Sequence, residues 1–282
     1  MLVVHTLAEL RLELRKARNQ GLRVGLVPTM GNLHEGHLRL VDRARESNGV
    51  VVASIFVNPL QFGENEDFDS YPRTLKNDST LLEARGCDIV FAPSVAEVYP
   101  DGLRGESTVH VPDLTMHHCG ASREKHFDGV ATIVSKLFNM VQPDEAIFGE
   151  KDFQQLMVIR KLVKDLCFPI EIISVATCRE EDGLAKSSRN GYLDSEERKL
   201  GKYLYLVLLE TKVALEEGGR DFASIRLEAI TSLTEYGFKL DYFNIASVET
   251  LLPAKEGDVD IVILAAAYMG ATRLIDNIRV SL

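Results

Sequence analysis

The stretch Pro28-Thr29-Met30-Gly31-Asn32-Leu33-His34-Glu35-Gly36-His37 joins a short apolar run, Leu22-Arg23-Val24-Gly25-Leu26-Val27, to a segment in which Leu38, Val41 and Ala44 recur at helical spacing. That order reads as a strand ended by Pro28, a glycine-containing turn and a helix. A longer β-branched run at 49–57, closed by Asn58-Pro59, supplies the next strand. The alternation then repeats, with a helix at 73–85, a strand at 88–92, a helix at 129–141, a strand at 145–148, a helix at 152–165 and a strand at 170–176. Upstream, Thr6 and Glu9 form a capping box for a helix at 7–19, with Leu7, Leu10 and Leu14 on one face and Gly21 as its stop. Repeated strand and helix of this kind define an α/β fold, a Rossmann-like doubly wound parallel sheet covered by helices on both faces.

The texture changes after residue 176. A polar, glycine-containing loop comes first, then Asp194 and Glu197 cap a helix running through 204–215, and a strand-like stretch covers 259–265. The expected division is a Rossmann-like domain at 1–176 and a smaller α+β C-terminal domain at 177–282.

Composition narrows the function. The 282 residues, 45% hydrophobic and 26% charged, can bury a substantial core. A formal net charge of -10 disfavours a nucleic-acid or anionic-membrane binder, so any polyanionic ligand needs a local positive site. Cys87, Cys119, Cys167 and Cys178 form no C-x-x-C pair, the usage of a reducing compartment, and all four read as free thiols. The opening residues carry no basic leader with a long apolar stretch, and no apolar run approaches a membrane span, so a cytoplasmic protein is expected. The acidic stretch at 64–69 lacks the glycine and the twelfth-position glutamate of an EF-hand and reads as a solvated loop.

The chemistry concentrates at the 28–37 turn. Where a parallel strand meets a helix, an α/β sheet binds ligands, and the first helical turn offers N–H groups and a positive dipole end to phosphate. His34 and His37, three apart, share one face of that turn, and two imidazoles there can donate hydrogen bonds to a triphosphate. Gly31 and Gly36 allow close backbone approach. Two histidines at a helix start also serve as surface or capping residues, and that reading stands beside the first. Catalytic zinc does not fit: the H-E-x-x-H spacing is four with the base between, whereas here it is three with Gly36 in the third position.

The full Pro28-Thr29-Met30-Gly31-x-Leu33-His34-x-Gly36-His37 pattern resembles the extended H-x-G-H signature of the pantothenate synthetases, within the nucleotidyltransferase superfamily that includes class I aminoacyl-tRNA synthetases. It is joined in order by Ser54-Ile55-Phe56-Val57-Asn58-Pro59-Leu60-Gln61-Phe62, Tyr71-Pro72-Arg73-Thr74, His126-Phe127-Asp128-Gly129-Val130, Phe148-Gly149-Glu150-Lys151-Asp152-Phe153-Gln154-Gln155-Leu156 and Ser187-Ser188-Arg189-Asn190. The likeness runs from Leu2 to Arg273-Leu274-Ile275-Asp276-Asn277.

That resemblance implies an ATP-dependent, AMP-forming ligase that joins (R)-pantoate to β-alanine through a pantoyl adenylate, with Mg2+ accompanying ATP and no protein-bound zinc. It implies catalytic roles for His34, His37, Lys151 and Arg189. It implies ATP contacts from Met30, Gly31, Asn32, Leu33, Glu35, Gly36, Gly149, Glu150, Asp152, Cys178, Lys186, Ser187 and Ser188 as well. Gln61 and Gln155 fall to pantoate, with Gln61 also meeting β-alanine, and Asn58 and Arg123 correspond to residues near the family's substrate site. Asp78 is a candidate for positioning magnesium or its waters, against the alternative of an exposed helix carboxylate. The family likeness further implies a homodimer and a C-terminal domain acting as a mobile lid, with no nucleic-acid or membrane partner.

Physical reasoning supports part of this. Lys151 at a strand-to-helix turn can meet phosphate as a mobile point charge, and the hydroxyls and cations of Lys186-Ser187-Ser188-Arg189 suit a loop over a triphosphate. Neutral amides such as Gln61 and Gln155 suit a hydroxy acid because they donate and accept without adding charge. Two departures stand out: Lys186 replaces a commonly apolar residue, and His117-His118-Cys119 occupies a variable loop, where adjacent side chains rarely converge on one metal ion. Two rival readings share the H-x-G-H physics: a nucleotidyltransferase moving AMP or CMP to a phosphate acceptor, and a non-catalytic nucleotide-binding protein.

Overall fold

The computed structural model describes residues 1–64 and 66–282, so Asn65, within the acidic 64–69 stretch, lies outside the described residues. In chain order the elements are β1 (Leu2–Val4), α1 (Leu7–Asn19), β2 (Val24–Thr29), α2 (Glu35–Ser47), β3 (Val50–Ile55), α3 (Leu75–Ala84), β4 (Ile89–Phe91), α4 (Val95–Val98), α5 (Cys119–Ser122), α6 (His126–Val141), β5 (Glu145–Gly149), α7 (Phe153–Asp165), β6 (Glu171–Val175), α8 (Ser195–Gly201), α9 (Tyr203–Glu216), α10 (Phe222–Glu235), β7 (Lys239–Ser247), β8 (Asp260–Met269) and β9 (Thr272–Ser281). They gather into two compact units. The first holds Met1–Pro112, Arg123–Glu150 and Gln155–Ala176; the second holds Asp113–Ser122, Lys151–Gln154 and Thr177–Leu282.

In the first unit six strands lie in the order β1-β4-β3-β2-β5-β6, and every pairing is parallel. From β2 the chain moves outward to β3 and β4, then returns beside β2 at β5 and continues to β6. The order therefore reverses between β2 and β5, and the crevice beyond their carboxyl ends is the switch point where such sheets take ligands. Val27, Val51, Ala53, Val90 and Ile147 form one core with Leu38, Val41 and Ala44 of α2 and Leu82 of α3. The other side is covered by α6, which packs against β2 and α1. Thr6 caps α1 through the capping box read from sequence, with the Glu9 carboxylate returning to the Thr6 N–H.

Pro28 does not end β2; it pairs with Ser54 inside the β2–β3 ladder. The alternation of the strand explains this. The Arg23 and Thr29 carbonyls accept from Val50 and Phe56 on the β3 side, and the Val24 carbonyl accepts from Asp144 on the β5 side. Position 28 therefore faces β5, whose ladder with β2 ends at Leu26↔Ala146, so the missing N–H is not needed.

In the second unit β7, β8 and β9 form an antiparallel sheet in that order. Phe243, Ile245, Ile261, Ile263, Ala265 and Leu274 pack with Leu204, Leu208 and Leu215 of α9 and with Leu233 of α10. The single helix expected after Asp194 is two helices: Asp194 and Glu197 do form a capping box, but the chain breaks at Lys202 beside the buried Gly201. β7 and β9 are additional to the one strand expected here.

Candidate active site

The 28–37 turn is held from inside. Thr29 Oγ1 donates to the Ser54 carbonyl at 2.7 Å and accepts the Gly31 N–H at 3.2 Å. Gly31 has φ +84°, and a Cβ there would meet Asp78 Oδ2 at 3.0 Å and Ile55 Cγ2 at 3.1 Å, so glycine is required both by conformation and by space. Asn32 follows at φ 51°, a region asparagine tolerates. The turn thereby aims two successive amides at one carboxylate: Asn32 N donates to Asp78 Oδ2 at 3.0 Å and Leu33 N to Asp78 Oδ1 at 2.9 Å. Thr74 Oγ1 adds a third bond to Asp78 at 3.0 Å.

Asp78 is thus not an exposed helix carboxylate; it is fully buried. Three of its roughly four lone-pair sites are taken by the turn and by Thr74, so its chemistry fits a brace and does not fit a direct ligand for Mg2+. No cluster of three or more His, Cys, Asp or Glu side chains able to hold a metal occurs among the described residues.

His34 is the N-cap of α2, and its Nδ1 accepts the Gly36 N–H at 3.1 Å; His37 Nδ1 accepts the His34 N–H at 3.3 Å. The imidazoles thus complete a capping box usually built from Ser or Thr with Glu or Gln. The rings lie 4.1 Å apart, tilted by 39°. One consequence corrects the expectation of open helix amides: the N–H groups of Asn32 and Leu33 are bonded to Asp78 of α3, and those of His34 and Gly36 are bonded to the two imidazoles of the turn. A second consequence fixes the tautomer. Because each Nδ1 accepts a backbone N–H, the proton of each neutral ring sits on Nε2, and the donors this turn can offer an anion are imidazole N–H groups. Capping uses the Nδ1 atom of each ring, so the capping reading does not exclude the anion-binding one. Glu35, the first residue of the helix, pairs with Arg85 at 2.7 Å.

Beside the turn, a cavity of about 290 Å3 is lined by Met30, Gly31, Ile55, Phe56, Val57 and Leu75, among others. Gln61 ends a short 3-10 turn, Pro59–Gln61, which Asn58 caps. Gln61 Nε2 donates to Met30 Sδ at 3.1 Å, and its Oε1 accepts from Asn58 Nδ2 at 3.2 Å. Asn58 is buried and also donates to the Gly129 carbonyl at 3.1 Å, while its Oδ1 accepts Leu60 N at 3.4 Å and Tyr99 Oη at 2.7 Å. Both donors and both acceptor sites of the Asn58 amide are used. Through these bonds Asn58 holds the Gln61 amide in place.

Gly129 lets α6 come close enough for these bonds. A Cβ at 129 would stand 2.3 Å from the Leu60 carbonyl oxygen and 2.6 Å from Gln61 N. Arg123 lies at the same place, donating to both Glu66 carboxylate oxygens at 2.6 Å and to His126 Nε2 at 2.9 Å. His126 Nδ1 in turn donates to the Gln61 carbonyl at 2.8 Å. Burial pushes the Glu66 carboxyl up, but the Arg123 hydrogen bonds and charge outweigh it and hold it below the usual carboxylate range. The acidic stretch is therefore not wholly solvated, since Glu66 neutralises Arg123.

At the end of β5, Gly149 has no atom within 4 Å of a built Cβ and no positive φ, so neither packing nor conformation calls for glycine. Glu150 accepts from Ser174 Oγ at 2.9 Å, and Gln155 lies half-buried in the first turns of α7. Its neighbour Gln154 is buried, joining Cys119 N, the Leu114 carbonyl and the His117 carbonyl at 2.7–3.0 Å.

In the second unit Lys151 and Asp152 sit on a 3-10 turn, and the Lys151 carbonyl accepts from Asn277 Nδ2 at 2.9 Å. Its ammonium makes no hydrogen bond or ion pair among the described residues, while its charge acts on Asp276. Asp276 is gripped by Arg179 at 2.6 and 2.9 Å; burial nonetheless pushes its carboxyl up against that pull. The polar loop read from sequence is an ordered hairpin. Arg179 and Ala185 bridge, Lys186 N donates to the carbonyl of the buried Cys178 at 2.9 Å, and Ser187 caps the 3-10 turn Ser188–Tyr192 that carries Arg189. The Lys186 ammonium is paired with Glu180, so it differs from Lys151 in already having a counter-ion. His118, whose role was open, is buried: Nε2 donates to the Leu251 carbonyl at 2.8 Å, and Nδ1 accepts from Asn244 at 2.9 Å.

A parallel sheet with a histidine-capped turn after β2 and Gly149-Glu150 closing β5 at its switch point defines a nucleotide-using α/β enzyme of the H-x-G-H type. The comparisons with known proteins make that particular. The family model described as pantoate-beta-alanine ligase matches residues 2–279. Pantothenate synthetases of Marinobacter nauticus and Hahella chejuensis are 55% and 57% identical to this chain, each alignment covering 100% of both proteins. The crystal structure of the Thermus thermophilus pantothenate synthetase superposes with a TM-score of 0.92 at 48% identity, covering 99% of each chain. A Francisella tularensis pantoate-beta-alanine ligase, complexed with beta-gamma ATP and beta-alanine, superposes with a TM-score of 0.81 at 32% identity, covering 99% of this chain and 97% of that one. The chain belongs to the pantoate-beta-alanine ligase family.

Proposed function

We propose that this chain joins pantoate to β-alanine in two half-reactions driven by ATP. The observation that carries the reading is the pair of Nε2–H donors that capping fixes on His34 and His37 at the sheet's switch point. A carboxylate is a poor electrophile, so amide formation needs a better leaving group. In the first half-reaction a pantoate carboxylate oxygen attacks the α-phosphorus of ATP, the bond to the β-phosphate bridging oxygen breaks, and pyrophosphate departs. The imidazole donors strengthen as negative charge grows on the leaving phosphates, and Lys151 and Arg189 are the cations assigned to the same charge. In the second, the β-alanine amine attacks the acyl carbon, AMP leaves, and the nitrogen loses a proton to give pantothenate.

Gln61 and Gln155 are assigned to pantoate, Gln61 as a donor through its Nε2. The open space at Gly149 suits close approach of the nucleotide. Mg2+ supplies phosphate charge neutralisation as the companion of ATP, and no side chain described above is assigned to it. No nucleophilic serine or cysteine enters either step, so the protein's work is positioning and electrostatics. No helix among the described residues is long and apolar enough to cross a membrane; a cytoplasmic homodimer is the proposed working form, and light scattering tests the dimer.

The test is incubation with ATP, Mg2+, pantoate and β-alanine, with products resolved by mass spectrometry. Equimolar pantothenate, AMP and pyrophosphate are expected. AMP found attached to a stable end product overturns the ligase reading in favour of nucleotidyl transfer.

A further inference from the structure

We infer that Tyr99 is a positioning residue for the acid substrate, acting through Asn58 to hold the Gln61 amide so that it meets the substrate only as a hydrogen-bond donor. Asn and Gln amides can rotate by half a turn at little cost unless their neighbours decide the matter. Here they do. The Gly129 carbonyl can only accept and the Leu60 N–H can only donate, so Asn58 must direct Nδ2 toward Gly129 and Oδ1 toward Leu60. The other Nδ2 hydrogen then points at Gln61 and requires its Oε1 on that side, leaving Nε2 to face Met30. The Leu60 contact is long at 3.4 Å, whereas Tyr99 Oη reaches Asn58 Oδ1 at 2.7 Å. Gly129 and Leu60 decide the orientation, and Tyr99 makes the shorter of the two contacts that then hold Oδ1 in place.

The tyrosine suits this task. It is 1% exposed, its ring packs near Phe56 with centroids 6.1 Å apart, and the Lys136 ammonium lies 4.5 Å from the ring centre. Burial pushes its hydroxyl pKa up, so the group stays a donor at every working pH. The acceptor opposite Gln61 Nε2 is a thioether sulfur, a weak partner that a substrate hydroxyl or carboxylate oxygen readily replaces. The inference rests on the assignment of Gln61 to pantoate made above.

The experiment compares Gln61→Ala, Gln61→Glu, Tyr99→Phe and the Tyr99→Phe/Gln61→Ala double variant, reading KM for pantoate and for ATP separately, with melting temperatures alongside. Tyr99→Phe keeps the ring and removes only the hydroxyl. It is expected to raise the pantoate KM about three- to tenfold, the worth of one neutral hydrogen bond, with the ATP KM within about twofold. In the Gln61→Ala background the same change is expected to leave the pantoate KM unmoved, which a merely structural tyrosine would not do. Gln61→Glu is expected to raise the pantoate KM more than Gln61→Ala, because a carboxylate replaces the donor. That comparison carries the test if Tyr99→Phe does not fold. If Gln61→Ala leaves the pantoate KM unchanged, the substrate role of Gln61 fails and the inference with it. If Gln61→Ala raises it but Tyr99→Phe does not, or acts equally in both backgrounds, or Gln61→Glu is no worse than Gln61→Ala, the positioning role alone is overturned.

Discussion

Asp78 Oδ1 accepts the backbone N–H of Leu33 at 2.9 Å, across 45 residues of chain, and so ties α3 to the turn that carries both histidines. With Asn32 on the other oxygen, the carboxylate is a mould for the turn. Asp78→Asn places an NH2 against one of these donors. The expected result is a loss of about 1–3 kcal/mol of stability together with reduced activity, and an unchanged dependence of the remaining activity on Mg2+ concentration. Thermal denaturation and a Mg2+ titration check it; a raised Mg2+ requirement at unchanged melting temperature would return Asp78 to the metal.

His34→Asn separates capping from catalysis. Asparagine is among the best N-caps, so its side-chain oxygen can take over the Gly36 N–H while the imidazole Nε2–H is lost. The melting temperature should change little and kcat should fall about 10²- to 10³-fold, the usual cost of one preorganised donor. Circular dichroism melting and steady-state kinetics on the same preparation decide this.

Two glycines should part company. Gly129→Ala drives a methyl into the Leu60 carbonyl and Gln61 N, backbone that cannot swing aside, so about 3 kcal/mol or more of stability should go. Gly149→Ala meets nothing in the protein and should melt like the parent, yet raise the KM for ATP. Parallel denaturation and kinetics test both.

His118 gives the second unit a pH dependence. Burial pushes its pKa below the unfolded value near 6.5, with a smaller push from His117 against the Leu251 hydrogen bond. Between the folded and unfolded pKa values the unfolded chain binds more protons, so stability rises with pH there. The contribution is fully present above the unfolded pKa and is lost as pH falls through the folded one. Denaturant unfolding should show stability falling below about pH 6.5, and His118→Gln should flatten that part of the curve.

The sheet was legible because β2 to β6 and the helices between them carry unambiguous periodicity and turn residues, and the Thr6 and Asp194 capping boxes are local in sequence. β1 spans only Leu2–Val4, too short to show a period, and β7 and β9 interleave charged with apolar residues, which blurs the strand signal. Within the site, residue types were readable and their partners were not. Asp78 looked like a surface carboxylate because its donors are backbone amides far back in the chain. No sequence pattern reveals that Gly129, Gln61, Leu60 and Tyr99 together occupy the Asn58 amide. Lys151 and Lys186 look alike in sequence, and only the fold gives Lys186 its Glu180 partner.

The most direct test of the adenylate mechanism is exchange of labelled pyrophosphate into ATP, with Mg2+ and pantoate present and β-alanine withheld, run beside His37→Ala. Exchange that requires pantoate and falls about 10²- to 10³-fold in the variant is the predicted result. No exchange by folded, ATP-binding protein would contradict the adenylate-first mechanism and leave a chain that binds nucleotide without activating the acid.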